Sequence, residues 1–148
     1  MKVFLDTNVL LEYLCGRSRA VVVREILDCI EDNGDKAFLS SSSYCTIAYY
    51  VEQSLKEKGI HKPEKTVRMR EVLNAVLDIA TIADVNHQGA IIATNDLAFS
   101  DFEDSLQYQC ALNCNCDVLV TFNVKDFKNA DQTNVKVMTP EQYLRIHE

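Results

Sequence analysis

Three stretches of this chain carry oxygen-bearing side chains where they could act together. Asp6 lies in Phe-Leu-Asp-Thr-Asn (4–8), Asp101 and Asp104 in Ser-Asp-Phe-Glu-Asp (100–104), and Asn123 and Asp126 in Thr-Phe-Asn-Val-Lys-Asp-Phe (121–127). Val3, Phe4 and Leu5 form a short apolar run that reads as a buried strand. Asp6 therefore stands at the carboxyl end of a first strand, where open parallel sheets place their ligand crevice. Each of the later stretches follows or opens an element that can return to the same edge. Carboxylates gathered at one point repel one another unless a cation sits among them. Mg²⁺ and Mn²⁺ take such oxygen ligands in octahedral geometry and keep several waters. A cation held this way can polarise a phosphate and turn a water into a nucleophile near neutral pH. That chemistry requires neither a histidine base nor a cysteine nucleophile, and His61, His87 and His147 are scattered without a catalytic pattern.

Each stretch alone has a plainer role. Asp6, Thr7 and Asn8 can all cap a helix, although one such residue would suffice. Asp101 gains from the macrodipole in a first helical turn. Asp104 lies three residues on, and that spacing puts both carboxylates on one helix face, with Phe102, Leu106 and Cys110 on another face directed at the core. Asn123 and Asp126 suit a short capped turn. Only together do they place oxygen donors at three separated points of one edge.

The elements that must position these residues follow from the pattern of the chain. A helix starts in Val9–Leu14 after the first strand. Val23, Ile26, Leu27 and Ile30 repeat at helical spacing, and that helix ends near Asn33-Gly34. Ala37–Leu39 is a strand. The serines at 40–43 cap a long helix that runs to about Lys58 and stops at Gly59. Pro63 opens another helix, with Leu73, Val76, Leu77 and Ala80 as its apolar face. Thr81–Asp84 is a short strand, and Asn86 caps a helix to about Ala93. Ser100 and Glu103 form a capping box for a helix ending near Asn113. Val118–Val120 and Val135–Val137 are strands, and Thr139-Pro140-Glu141-Gln142 opens a terminal helix. Short apolar strands separated by helices imply parallel pairing with right-handed crossovers. The expected fold is a three-layer α/β/α sandwich with a short, mostly parallel central sheet, one domain over residues 1–148.

Composition narrows the class. With 47% hydrophobic and 25% charged residues the chain is globular, which excludes disordered and collagen-like classes. No apolar run reaches membrane-spanning length, and Met1 leads directly into the first strand, so a cytoplasmic protein without a membrane partner is expected. Cys15, Cys29, Cys45 and Cys110 fall in helical patterns as small apolar groups. Cys110, Cys114 and Cys116 form a cluster without a zinc spacing and read as reduced thiols at a helix end. The net charge of −7 argues against a protein that coats nucleic acid generally. Residues 56–70 run the other way: Lys56, Lys58, Lys62, Lys65, Arg68 and Arg70 face only Glu57 and Glu64, a local balance of +4 that leaves −11 for the rest. This stretch is either a solvated helical surface or a basic lip that meets phosphates beside the acidic pocket.

Phe-Leu-Asp-Thr-Asn-Val-Leu-Leu (4–11), Asp-Phe-Glu-Asp-Ser-Leu-Gln-Tyr-Gln-Cys-Ala (101–111), Asp-Val-Leu-Val-Thr-Phe-Asn-Val-Lys-Asp-Phe (117–127) and Val-Met-Thr-Pro-Glu-Gln-Tyr-Leu (137–144) together resemble the PIN domain. The resemblance spans nearly the whole chain. It implies a Mg²⁺- or Mn²⁺-dependent endoribonuclease, often the toxin of a bacterial toxin–antitoxin pair of the VapC type. Its partners would be an RNA substrate, an antitoxin protein and, in a homodimer, a second copy. Asp6 and Asp104 match the family's acidic positions and would be catalytic. Asn123 falls where an aspartate is common, and Asp101 and Asp126 would supplement it as ligands. Thr7, Asn8 and Thr121 would orient the ligands, and Lys56, Lys58, Lys62, Lys65, Arg68, Arg70, Lys125 and Lys128 would contact RNA. The family commonly carries a glutamate early in the helix after the second strand, and Ile47 stands at that position. Because Ile47 and Asn123 are neutral, a second expectation is a catalytically weak PIN fold that acts as an RNA-binding or regulatory module.

Overall fold

The computed structural model describes residues 1–148. Five strands, β1 (Lys2–Leu5), β2 (Lys36–Ser40), β3 (Ala80–Ala83), β4 (Val118–Val120) and β5 (Lys136–Met138), form one sheet in the order β3-β2-β1-β4-β5. Every pairing is parallel. The helices are α1 (Thr7–Leu14), α2 (Ala20–Asp32), α3 (Ser41–Glu57), α4 (Glu64–Ile79), α5 (His87–Asn95), α6 (Phe102–Asn113) and α7 (Pro140–Ile146), with a 3₁₀ turn at Val124–Phe127. The expected α/β/α sandwich is the observed one, and no helix is long and apolar enough to cross a membrane.

Alternation along the strands creates the two cores. Val3 and Leu5 of β1, with Val118 and Val120 of β4, face the side where Val9, Leu10, Val23, Ile26, Ile47, Val76 and Tyr143 pack. Phe4 and Leu119 face the other side, against Tyr108, Cys110 and Ala111 of α6 and Phe127. The sheet is thus covered on both faces, as short apolar parallel strands require.

Topology decides where a site can form. From β1 the chain moves outward through β2 to β3, then returns across the sheet to β4 and on to β5. The direction of winding reverses between β1 and β4, and the carboxyl ends of those strands flank the switch point where such folds bind ligands. Leu5 and Val120 are register partners. The residues just beyond them, Asp6 and Thr121, are therefore brought side by side.

Several local expectations are corrected. α6 is capped by Asp101, whose carboxylate accepts from the Asp104 N–H at 3.2 Å, so Ser100 is not the cap and the box with Glu103 does not form. That one-residue shift turns Glu103 away from a capping role. Phe102 is 55% exposed and Leu106 only partly buried, and the buried side of α6 is Ser105, Gln107, Tyr108, Cys110 and Ala111. In α4, Leu77 points to solvent while Val76 is fully buried. Cys45 is exposed rather than packed. At α7 the capping box of Thr139 and Gln142 forms as expected.

Candidate active site

Asp6 ends β1 and caps α1, and it is 6% exposed. Its Oδ1 accepts from the Thr7 N–H at 2.8 Å and lies 3.5 Å from the Gln107 amide nitrogen. Its Oδ2 accepts from the Thr121 hydroxyl at 2.8 Å, across the β1–β4 switch point. Thr121 in turn accepts from the Asn123 N–H at 3.1 Å, which fixes the start of the 3₁₀ turn that carries Asp126. Burial pushes the Asp6 carboxyl above its ordinary range. Its donors Thr121, Thr7 and Gln107 pull it back down, and Asp126 adds repulsion.

α6 presents the rest of the acids at its first turn, where free N–H groups and the macrodipole favour negative charge. The Thr7 hydroxyl lies 3.5 Å from Glu103 Oε1. Burial, then Asp6 and Asp101, raise the Glu103 carboxyl. Asp104, half-buried one residue further, is pushed up to about 7 by burial and then by Asp6, Asp101, Asp126 and Glu103. Five acidic side chains from β1, α6 and the 3₁₀ turn therefore share one electrostatic neighbourhood. Asn8 and Asn123 are exposed at its rim, and neither side chain is engaged by the others.

Gln107 and Ser43, one from each side of the sheet, complete the floor. The Gln107 amide donates to Thr7 Oγ1 at 2.9 Å and to Ser43 Oγ at 2.5 Å. Ser43 and Thr7 share a hydrogen bond of 2.5 Å. Gln107 is 1% exposed, and its Oε1 is buried without a partner. Sequence reasoning missed Glu103, Gln107 and Ser43. Gln107 sits three residues after Asp104, so helical spacing alone puts it on the same face. Ser43 carried a signal only as one of four serines.

Ile47 does not occupy an acidic position at this edge. It is fully buried in the core cluster with Leu5, Val9 and Val120. The residue that α3 brings to the site is Ser43, one turn earlier.

The basic residues divide. Lys125 and Lys128 flank Asp126 and line an open cleft of about 390 Å³ with Ser100 and Asn129. Lys56 lies at the far end of α3, about 20 Å along its axis from Ser43, and Lys58 and Lys62 follow in the connection to α4. Lys65 pairs with Glu52 at 3.1 Å and Arg68 with Glu64 at 2.9 Å, while Arg70 is exposed on α4. The basic lip beside the pocket is thus Lys125 and Lys128, and the 56–70 stretch is set apart from it.

The donor set is made of hard oxygen atoms, the chemistry a divalent cation of the Mg²⁺ type selects. No three acids stand close enough to enclose an ion in their present rotamers. Mg²⁺ needs only one or two direct carboxylates and reaches others through water, and burial together with four neighbouring carboxylates raises the Asp104 carboxyl, as expected where positive charge is lacking. The residues fit such a cation.

The model of the PIN domain family matches residues 2–125. The chain belongs to the PIN domain family. Among curated proteins it is similar to Ribonuclease VapC1 of Aquifex aeolicus (strain VF5), with 29% identity over 145 residues that cover 96% of this chain and 92% of the relative. Among solved structures it resembles VapBC2 from Rickettsia felis bound to a DNA fragment from its promoter, with TM-score 0.64 and 19% identity over 94% of this chain and 98% of that one. VapBC-1 from nontypeable Haemophilus influenzae gives TM-score 0.64 and 20% identity over 95% and 99%. At such identities these structures speak for the fold.

Proposed function

We propose that this protein is a single-domain, metal-dependent endoribonuclease of the cytoplasm, the toxin of a bacterial toxin–antitoxin pair. The observation that carries the reading is the acidic edge itself: Asp6, Asp101, Glu103, Asp104 and Asp126 gather at the switch point, where burial and then its acidic neighbours push the Asp104 carboxyl up to about 7. Membership of the PIN family and the likeness to a protein named Ribonuclease VapC1 support the activity. The VapBC complexes among the similar folds support an antitoxin partner.

Asp6 and Asp104 would hold Mg²⁺ or Mn²⁺, and Asp101, Asn123 and Asp126 would ligate it directly or through water. Glu103 joins that group as a further acid. The bound ion would supply Lewis acidity toward a phosphate oxygen and lower the pKa of water beside it. Thr121 and the Thr7 N–H fix both oxygens of Asp6, so its rotamer is set before a ligand arrives. Thr7 is held in turn by Ser43 and Gln107, and Asn8 lies at the rim where RNA would enter. Lys125 and Lys128 would contact the phosphates flanking the scissile bond, and the distant Lys56–Arg70 stretch could touch only a longer RNA. The exposed apolar residues Tyr49 and Tyr50 of α3, Val67 of α4, and Ile91 and Ile92 of α5 offer surface to an antitoxin and to a second copy in a homodimer.

Mn²⁺ titration followed by electron paramagnetic resonance tests the site. The parent protein should bind one ion per chain with release of protons near pH 7, because a ligand must lose its proton to bind. Asp104→Asn should weaken binding at least tenfold and abolish most of that release. Equal affinity and equal proton release in the variant would place the ion elsewhere and overturn the reading.

A further inference from the structure

The turn between α6 and β4 holds two of the six cysteines, a third, Cys110, lies one turn back in α6, and the proposed reaction uses none of them. Cys114 caps the C-terminus of α6, Cys116 leads into β4, and Asn115 between them has φ 57°, in the left-handed region. That reversal turns both thiols to the same side, and their Sγ atoms lie 3.2 Å apart. All six cysteines are free. Cys114 is half-buried, and Cys116 lines an open surface cleft of about 380 Å³ with Asp117, Asn134 and Val135. Cys116 itself is buried, so a small solute reaches Cys114 first.

The two sulfurs are not equivalent. The hydrogen bond from Cys116 brings the Cys114 thiol down to about 7 against the effect of burial, with help from the Lys2 charge. The Lys2 ammonium is anchored nearby, donating to the Cys114 carbonyl at 3.1 Å. The same hydrogen bond, then burial, raises Cys116. Cys110 is a different case. It is fully buried, its thiol lies 3.5 Å from the Ala83 carbonyl, and burial pushes it up to about 12. A reactive, half-exposed thiolate beside a second thiol is the arrangement of an oxidisable cysteine and its resolving partner.

We propose that Cys114 and Cys116 form a reversible oxidation site that hydrogen peroxide closes into an intramolecular disulfide. The Cys114 thiolate attacks one peroxide oxygen, the O–O bond breaks, and the departing oxygen leaves as water after taking up a proton. Cys114 is then a sulfenic acid. The Cys116 sulfur attacks the Cys114 sulfur, the S–S bond forms, the S–O bond breaks, and the hydroxyl leaves as a second water with the Cys116 proton. Two thiols lose two electrons and one peroxide gains them. Two residues along the chain stand at most about 7 Å apart at Cα, and the sulfurs need to approach by roughly 1 Å to reach bonding distance. A dithiol reductant reverses the step by exchange.

The test is peptide mapping by mass spectrometry of the reduced full chain after treatment with hydrogen peroxide, with Cys45→Ser used in parallel to suppress bridging between molecules through the exposed thiol. The expected result is a loss of about 2 Da in a peptide containing both Cys114 and Cys116, resistant to alkylation and restored by dithiothreitol. Cys116→Ser should instead trap a gain of about 16 Da at Cys114 that reacts with dimedone, and Cys114→Ser should show neither change. Bridging of other cysteines, accumulation of sulfenic or sulfinic acid at Cys114 in the parent chain, or no reaction where free glutathione is oxidised would each overturn the proposal. The mapping of the parent chain needs no variant to fold, so it decides the matter alone.

Discussion

Asp104 is the residue at which the electrostatics of the site can be read most directly. Its carboxyl is raised, so the folded protein holds a proton that the unfolded chain has already released between the ordinary aspartate range and about pH 7. Stability must then fall as pH rises through that window, because the native state binds more protons than the unfolded one. Without metal, thermal melts in EDTA should show a lower Tm at pH 8 than at pH 5.5 from this group. Asp104→Asn removes the penalty and should raise Tm at pH 8 by about 2–4 °C, the shift that accompanies ~1 kcal/mol in a chain of this size, with solvent screening part of the repulsion. Excess Mn²⁺ should stabilise the parent more than the variant. An unchanged or lowered Tm for Asp104→Asn at pH 8 would mean that the carboxylates do not oppose one another.

At the scale of elements, the sequence was legible wherever periodicity and caps agree. β4, the stop of α3 before Gly59 at φ 76° and the box at α7 fall where the pattern set them, and β3 (Ala80–Ala83) and β5 (Lys136–Met138) lie one residue from their expected bounds. It failed where a choice turned on one residue of helical phase. Asp101, not Ser100, caps α6, and its inward face carries Gln107 and Tyr108 while Phe102 stays outside. Both serine and aspartate cap well, so only the tertiary fit selects between them. In α3 the family's acidic position fell on Ile47, yet the apolar spacing of Ile47 and Val51 already marked a core face. The structure follows the spacing. Ile47→Glu should therefore cost more than the ~2–5 kcal/mol of truncating a buried isoleucine to alanine, since a carboxylate is also stripped of water. Denaturant unfolding should show that loss with no recovery in Mn²⁺. Recovery by metal would put Ile47 at the site after all.

For the whole molecule, the proposed activity requires an acidic protein to take a polyanion as substrate. The net charge is −7, and attraction for phosphate must be local. Lys125 and Lys128 lie beside Asp126 at the cleft, whereas Lys56 and Lys58 stand at the opposite end of α3. Replacing Lys125 and Lys128 together by alanine should raise KM for a short RNA by roughly tenfold and flatten its dependence on salt, as expected when phosphate contacts are lost. The double change at Lys56 and Lys58 should leave both nearly unaltered. The reverse ranking would show that RNA crosses the α3–α4 tip rather than the switch point.

The central claim is that the acids at the β1–β4 switch point serve a cation that cleaves RNA. It is tested most directly by single-turnover cleavage of an end-labelled RNA, with the parent protein and Asp6→Asn compared in Mn²⁺ and in EDTA. Asp6→Asn keeps the shape of the side chain and the cap on α1 but removes a buried charge held by Thr121 and Thr7. The parent should cut the RNA internally in Mn²⁺ and not in EDTA, and Asp6→Asn should lose at least a hundredfold in rate while keeping a cooperative melting transition in EDTA. Cleavage by the parent that persists in EDTA, or a folded Asp6→Asn variant that cuts at the parent rate, would contradict the account.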